Sequence, residues 1–148
     1  MSVREANRKP ADVSTRVGRT TYRVLYGDVD SMEVVYYGNY FRLFERGRAE
    51  FIRDLGLPYK EIETRGVMLP VIEAHGHYNG SARYDDLVLI ETRVGFIRRA
   101  SVRFDYEIFR GQDRLERLVD GYTVHACVDR DRKIVRLPEF LVRLLLNT

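Results

Sequence analysis

Two periodicities divide the hydrophobic and polar positions of this chain. Over 37–55 the apolar residues recur at helical spacing. With Phe44 at the centre of the wheel, Tyr37, Tyr40, Phe41, Phe51 and Leu55 fall on its side, and Arg42, Arg46, Glu50 and Arg53 fall opposite or on the flank. Gly56, followed by Leu57 and Pro58, predicts the stop, since glycine tolerates a left-handed residue and proline cannot continue a helix. Just upstream lies a turn rich in acid, with Asp28 and Asp30. The stretch 26–58 therefore organises the rest of the chain.

Elsewhere the pattern favours strands. Residues 20–26 are β-branched and aromatic and predict a first strand. Residues 60–65 briefly prolong helical structure before Gly66, and 67–78 read as a strand in which Pro70 demands an edge position or a bulge. Asn79-Gly80 makes a turn or bulge. Strands follow at 87–96, 101–109 and 115–128, joined by turns at Arg98-Arg99-Ala100 and Gly111-Gln112-Asp113. After a charged turn at 129–133, Pro138 opens a short apolar helix over 138–146. Residues 1–19 are polar, basic and aperiodic, and are expected to form a mobile arm ahead of one domain at 20–148. The expected architecture is α+β, a curved antiparallel sheet of about five strands wrapped around one long helix. One helix leaves the other sheet face and an edge unprotected, which predicts a homo-oligomer, dimer or tetramer.

Composition narrows the function without choosing it. A chain of 148 residues suits one domain. Its net charge of +3 mixes both signs along the sequence, unlike the concentrated basic face of a nucleic-acid binder. The single cysteine, Cys127, excludes an intramolecular disulfide, so a reducing cytoplasm is the expected compartment. No apolar run approaches the roughly 20 residues of a membrane span, and the N-terminus lacks the apolar core of a signal peptide.

The motifs carry more. Tyr26, Asp28 and Asp30 stand in an aromatic-x-D-x-D pattern, followed by Val35-Tyr36-Tyr37-Gly38-Asn39-Tyr40, by Phe44-Glu45 with Arg48, and by Ala82-Arg83-Tyr84-Asp85-Asp86-Leu87. Over 22–128 this combined spacing resembles the hotdog-fold acyl-CoA thioesterases, in the 4-hydroxybenzoyl-CoA and Tol-Pal-associated thioesterase branch. One departure stands out: Glu33 occupies a position where that family usually has glycine. A carboxylate there would raise the pKa of a neighbouring acid, or narrow the acyl pocket.

By this resemblance Asp30 is the catalytic carboxylate, as nucleophile or general base, and the N–H of Tyr37 at the helix N-terminus polarises the thioester carbonyl. Without the motif, Asp30 reads more readily as a helix cap or turn former than as a catalytic group. Asp28 reads as structural, because a lone D-x-D lacks the further ligands of a metal site. Asn39 either holds the turn that carries Asp30 or meets the substrate. Arg48 falls within the apolar stripe, so a fixed ion pair with Glu45 or a subunit contact is expected; Glu45 itself is a minor catalytic candidate. In the hydroxybenzoyl branch the turn at Arg98 and Arg99 meets the nucleotide phosphates of CoA, through the planar donor fork of arginine. The alternative is a pair of solvated charges, and Arg83 is a weaker phosphate candidate. His75, His77 and His125 do not make a zinc signature, and His125 with Cys127 makes no convincing dyad.

The sequence reading is thus a thioesterase that needs no metal or redox cofactor, CoA arriving as part of the substrate. Two rivals stand beside it. One is an enzyme acting on acyl carrier protein, with Arg42, Arg46 and Arg53 facing the acidic carrier. The other is a non-catalytic acyl-CoA binding protein, which Glu33 favours.

Overall fold

The computed structural model describes residues 15–146, so residues 1–14 of the expected arm lie outside the described residues. The chain forms β1 (Gly18–Arg23), a 3-10 turn (Tyr26–Asp28), α1 (Asn39–Asp54) and α2 (Tyr59–Thr64). It continues as β2 (Val71–Tyr78), β3 (Leu87–Ile97), β4 (Ser101–Arg110), β5 (Glu116–Ala126) and α3 (Glu139–Leu146). The strands make one antiparallel sheet in the order β1-β3-β4-β5-β2. This is the expected curved sheet around one long helix. The first strand begins two residues earlier than expected. Gly18 pairs with Thr92, and Arg19 Nε reaches the buried Glu91 carboxylate at 3.0 Å.

Helix α1 lies in the hollow of the sheet, packed through its apolar stripe and one glycine. Phe44 stacks on Tyr106 with ring centres 4.3 Å apart and 5° between planes. At Gly47 the helix backbone comes so near β3 that a Cβ would lie 2.6 Å from Thr92 Oγ1 and 2.7 Å from an Ile90 methyl. The helix stops as the sequence predicts, with Leu55 as its last turn and Gly56 at φ 117°. Pro70 precedes an edge strand whose register shifts between Val71 and Glu73. Tyr37 differs from expectation. It precedes the helix and is 61% exposed, because Gly38 starts the helix and the Tyr36–Gly38 turn leaves the ring outside the stripe.

The strand register defines two ends of the sheet. At one end lie Leu87, Arg110 and Tyr78, which pairs with Val119; at the other lie the turn at residues 98–100 and Val71, which pairs with His125. No helix among the described residues is long and apolar enough to cross a membrane.

Candidate active site

Residues 28–36 form a small hairpin that leads directly into α1. Val29 bridges Val35, Tyr36 N–H donates to Asp28 O at 3.0 Å, and Asp30 N–H donates to Val34 O at 3.0 Å. The two carboxylates of the motif have different environments. Asp28 is buried and accepts from the Tyr22 hydroxyl at 2.6 Å and from Leu25 N–H at 2.7 Å, with Arg42 at 3.7 Å. It fastens β1 to the 3-10 turn, which is why the first strand ends at Arg23 instead of running on to 26. Asp30 is half-buried at the hairpin's turn, where among the described residues its side chain accepts only Met32 N–H, on Oδ1 at 2.8 Å.

The motif residues around Asp30 hold its backbone. Asn39 donates from Nδ2 to Asp28 O at 2.9 Å. The buried Tyr40 hydroxyl accepts Ala82 N–H at 3.0 Å, while Ala82 O accepts Val35 N–H at 2.9 Å. Arg110 reaches both Asp86 and Ser81 O, anchoring the 81–86 segment against which the hairpin rests. Glu33 has φ 65°, so the glycine expected here answers a left-handed backbone requirement, and its exposed side chain lies at the surface of the turn.

At the start of α1, Gly38 is the N-cap with no side-chain cap, and no acid occupies the first turn. Among the described residues the N–H groups of Tyr37 and Gly38 have no acceptor, whereas those of Asn39, Tyr40 and Phe41 close onto preceding carbonyls. Two free donors at the positive end of a helix suit a developing negative charge. Around them stand Tyr36, Tyr37, Tyr40 and Tyr78, with the Tyr78 hydroxyl donating to Tyr37 O at 3.3 Å.

The expected phosphate residues are elsewhere. Arg98 and Arg99 sit in the β3–β4 turn, with the Arg98 guanidinium 3.8 Å over the Phe96 ring. That is the opposite end of the sheet from Asp30, and β3 alone, at 11 residues, spans roughly 35 Å. Within one chain these residues do not come together. The fold adds a third arginine that the sequence reading missed: Leu137 N–H bonds to Arg99 O at 2.8 Å, and Arg136 joins Arg98, Arg99 and Glu139 around a groove of about 590 Å³. No local motif marks Arg136; only the tertiary bond reveals it.

A second feature lies at that same end. A cleft of about 270 Å³ between α1 and the start of β2 is lined by Arg48, Ile52, Leu69, Phe104 and His125, with exposed Glu45 also lining it. The expected Glu45–Arg48 ion pair does not form. Arg48 lies instead beside the buried Tyr106 hydroxyl, whose pKa is raised by burial and held back by the guanidinium. His125 is buried; the loss of hydration lowers its pKa to about 4, and Arg48 adds to the shift. Burial likewise pushes the Cys127 thiol up to about 11, so it is no nucleophile at neutral pH. His75 and His77 lie exposed on β2, and no group of three or more His, Cys, Asp or Glu among the described residues is placed to hold a metal ion.

Residues 24–145 match the thioesterase-like superfamily. The acyl-CoA thioesterase YbgC of Haemophilus influenzae is 32% identical over 108 residues, which is 72% of this chain and 77% of that protein. The 4-hydroxybenzoyl-CoA thioesterase of Pseudomonas sp. is 26% identical over 130 residues, 82% of this chain and 92% of that one. Among solved structures, the DHNA-CoA thioesterase from Staphylococcus aureus superposes with a TM-score of 0.77 at 32% identity, covering 82% of this chain and 80% of that chain.

Proposed function

This chain belongs to the thioesterase-like superfamily, and from that premise we propose that it hydrolyses acyl-CoA thioesters to a free acid and CoA, with Asp30 as the reacting carboxylate. The fold is the hotdog fold of its thioesterase relatives. The observation that carries the site assignment is the contrast at one hairpin. Asp28 is consumed by structural bonds, whereas Asp30 keeps a largely uncommitted carboxylate on the loop feeding two unpaired N–H groups at a helix N-terminus. As general base, Asp30 takes a proton from water while the hydroxide adds to the carbonyl carbon. As nucleophile, it forms an acyl anhydride that water then opens. On either route the oxyanion rests on the Tyr37 N–H, the C–S bond breaks, and CoA leaves as a thiolate that regains a proton.

The complete site is assigned to a dimer. β2 is an exposed edge strand, with Ile72 63% and Val71 47% accessible. Antiparallel pairing of two copies of β2 about the strand's midpoint sets Val71 of one against Tyr78 of the other. The Asp30 end of one copy then meets the Arg98, Arg99 and Arg136 end of its partner, which supplies the phosphate contacts that a single chain keeps roughly 35 Å away. Asn39 acts here as the support of the hairpin.

Thiol release from aliphatic and aromatic acyl-CoAs tests this reading, with wild type beside Asp30→Asn. The expected result is turnover that falls about a hundredfold or more in the variant, the scale of losing general acid–base catalysis. Binding of the esters without any thiol release would replace the hydrolase with a carrier of acyl-CoA.

A further inference from the structure

The cleft between α1 and β2, which the exposed Glu45 also lines, is backed by a chain of hydrogen bonds whose directions are fixed. His125 Nδ1 lies 2.8 Å from Leu69 O, and a carbonyl can only accept, so the proton of the neutral imidazole sits on Nδ1. Its Nε2, 2.8 Å from Thr123 Oγ1, must then accept from that hydroxyl. With its own hydrogen committed, Thr123 accepts from the Tyr106 hydroxyl at 2.7 Å. Tyr106 oxygen is left to accept, and Arg48 is beside it. Every proton in this chain of four side chains is thus directed away from Arg48. The guanidinium itself carries five N–H donors, spends few of them on Tyr106, and has no Asp or Glu within ion-pair distance among the described residues.

The surroundings make that surplus consequential. Ile52, Leu69 and Phe104 wall the cleft, so an occupant without an acceptor would strip water from Arg48 and return nothing. Position matters as well. Along α1, Arg48 lies roughly 16 Å from Tyr37, too far for a short acyl group bound at that chain's own Asp30. Across the dimer assigned above, however, the cleft beside Val71 of one copy abuts Tyr78 and Tyr37 of the other, where the thioester would sit. We propose that Arg48 is a specificity-determining residue that receives the far end of the acyl group from the partner's site and selects acyl chains ending in a hydrogen-bond acceptor, a carboxylate above all.

This rests on the acyl-CoA reading, and the experiment separates the two. Binding of unreactive thioethers, S-(carboxypentyl)-CoA against S-hexyl-CoA, is measured by calorimetry on the full chain. Thiol release is measured in parallel for adipoyl- against hexanoyl-CoA and sebacoyl- against decanoyl-CoA. Wild type is expected to favour the carboxylate member by about ten- to hundredfold, the range of a charged hydrogen bond. Arg48→Met should bring that ratio to about one, and Arg48→Lys should keep part of it. Equal or tighter binding of the alkyl member at every length, no binding of either member, or a ratio unchanged in Arg48→Met, overturns the proposal. The wild-type ratio alone decides if a variant fails to fold. A carboxylate preference in binding without thiol release sinks the hydrolase and leaves Arg48 standing; thiol release without the preference does the reverse.

Discussion

Asp28 and Asp30 stand two positions apart and look alike in the sequence, yet one is a buried fastener and the other a half-exposed group on a turn. The Tyr22 hydroxyl on β1, the Leu25 N–H just beyond that strand and the nearby Arg42 guanidinium separate them. Glu33 shows the converse. Its oddity was legible as a missing glycine, but its consequence is conformational, since φ 65° strains a residue with a Cβ. Relief of that strain less the entropy of glycine gives a net gain, so Glu33→Gly should stabilise the fold by roughly 0.5–1 kcal/mol. A lowered urea midpoint would count against it. His125 supplies a pH dependence. Its folded pKa of about 4 lies below the ordinary 6.5, so the unfolded state binds the extra proton between those values. Stability from this group is complete above pH 6.5 and is lost as pH falls toward 4, by about 3 kcal/mol in all. Urea titrations from pH 7.5 to 4 should show that extra loss in wild type relative to His125→Gln; parallel curves would contradict it.

Among the elements, the long helix was readable because its stripe, its glycine stop and its flanking proline agree with one another. The strands and their turns were readable for the same reason, with period-two runs broken by Gly111 and by the charged pair Arg98-Arg99. Gly47 carries no such local signal. A glycine inside a helix costs stability, and nothing local shows that the residue admits β3 to within touching distance. Gly47→Leu should therefore push the helix off Ile90 and Thr92 and destabilise the protein by roughly 3 kcal/mol. A denaturation midpoint equal to wild type would mean that the helix can shift freely in its hollow. Arg48 was visible as a charge in an apolar stripe, but its expected partner, Glu45, turned out to be the wrong one. Neighbours at i and i+3 can meet on a helix surface; the sheet below instead offered Tyr106.

For the whole molecule, the proposed dimer can be tested by mixing. Coexpressing Asp30→Asn with a chain carrying Arg98→Ala and Arg99→Ala builds mixed dimers that hold one site with wild-type groups from both copies. Random pairing makes half of the dimers mixed, each with one intact site of two, so about a quarter of wild-type thiol release should return. Activity no greater than the sum of the separate variants would mean that the groups act within one chain. The sequence alone determined the order of elements, the helix and its stop, the five antiparallel strands and the motif that names the family. These depend on local periodicity and on residues close in the chain. The tertiary structure alone decided which aspartate is free, which N–H groups lack acceptors, and how the protons run from Arg48 to Leu69. It also decided that Asp30 and the arginines lie at opposite ends of the sheet. Those facts depend on through-space contacts and strand direction, and a linear pattern of residue types encodes neither until the sheet has set its register.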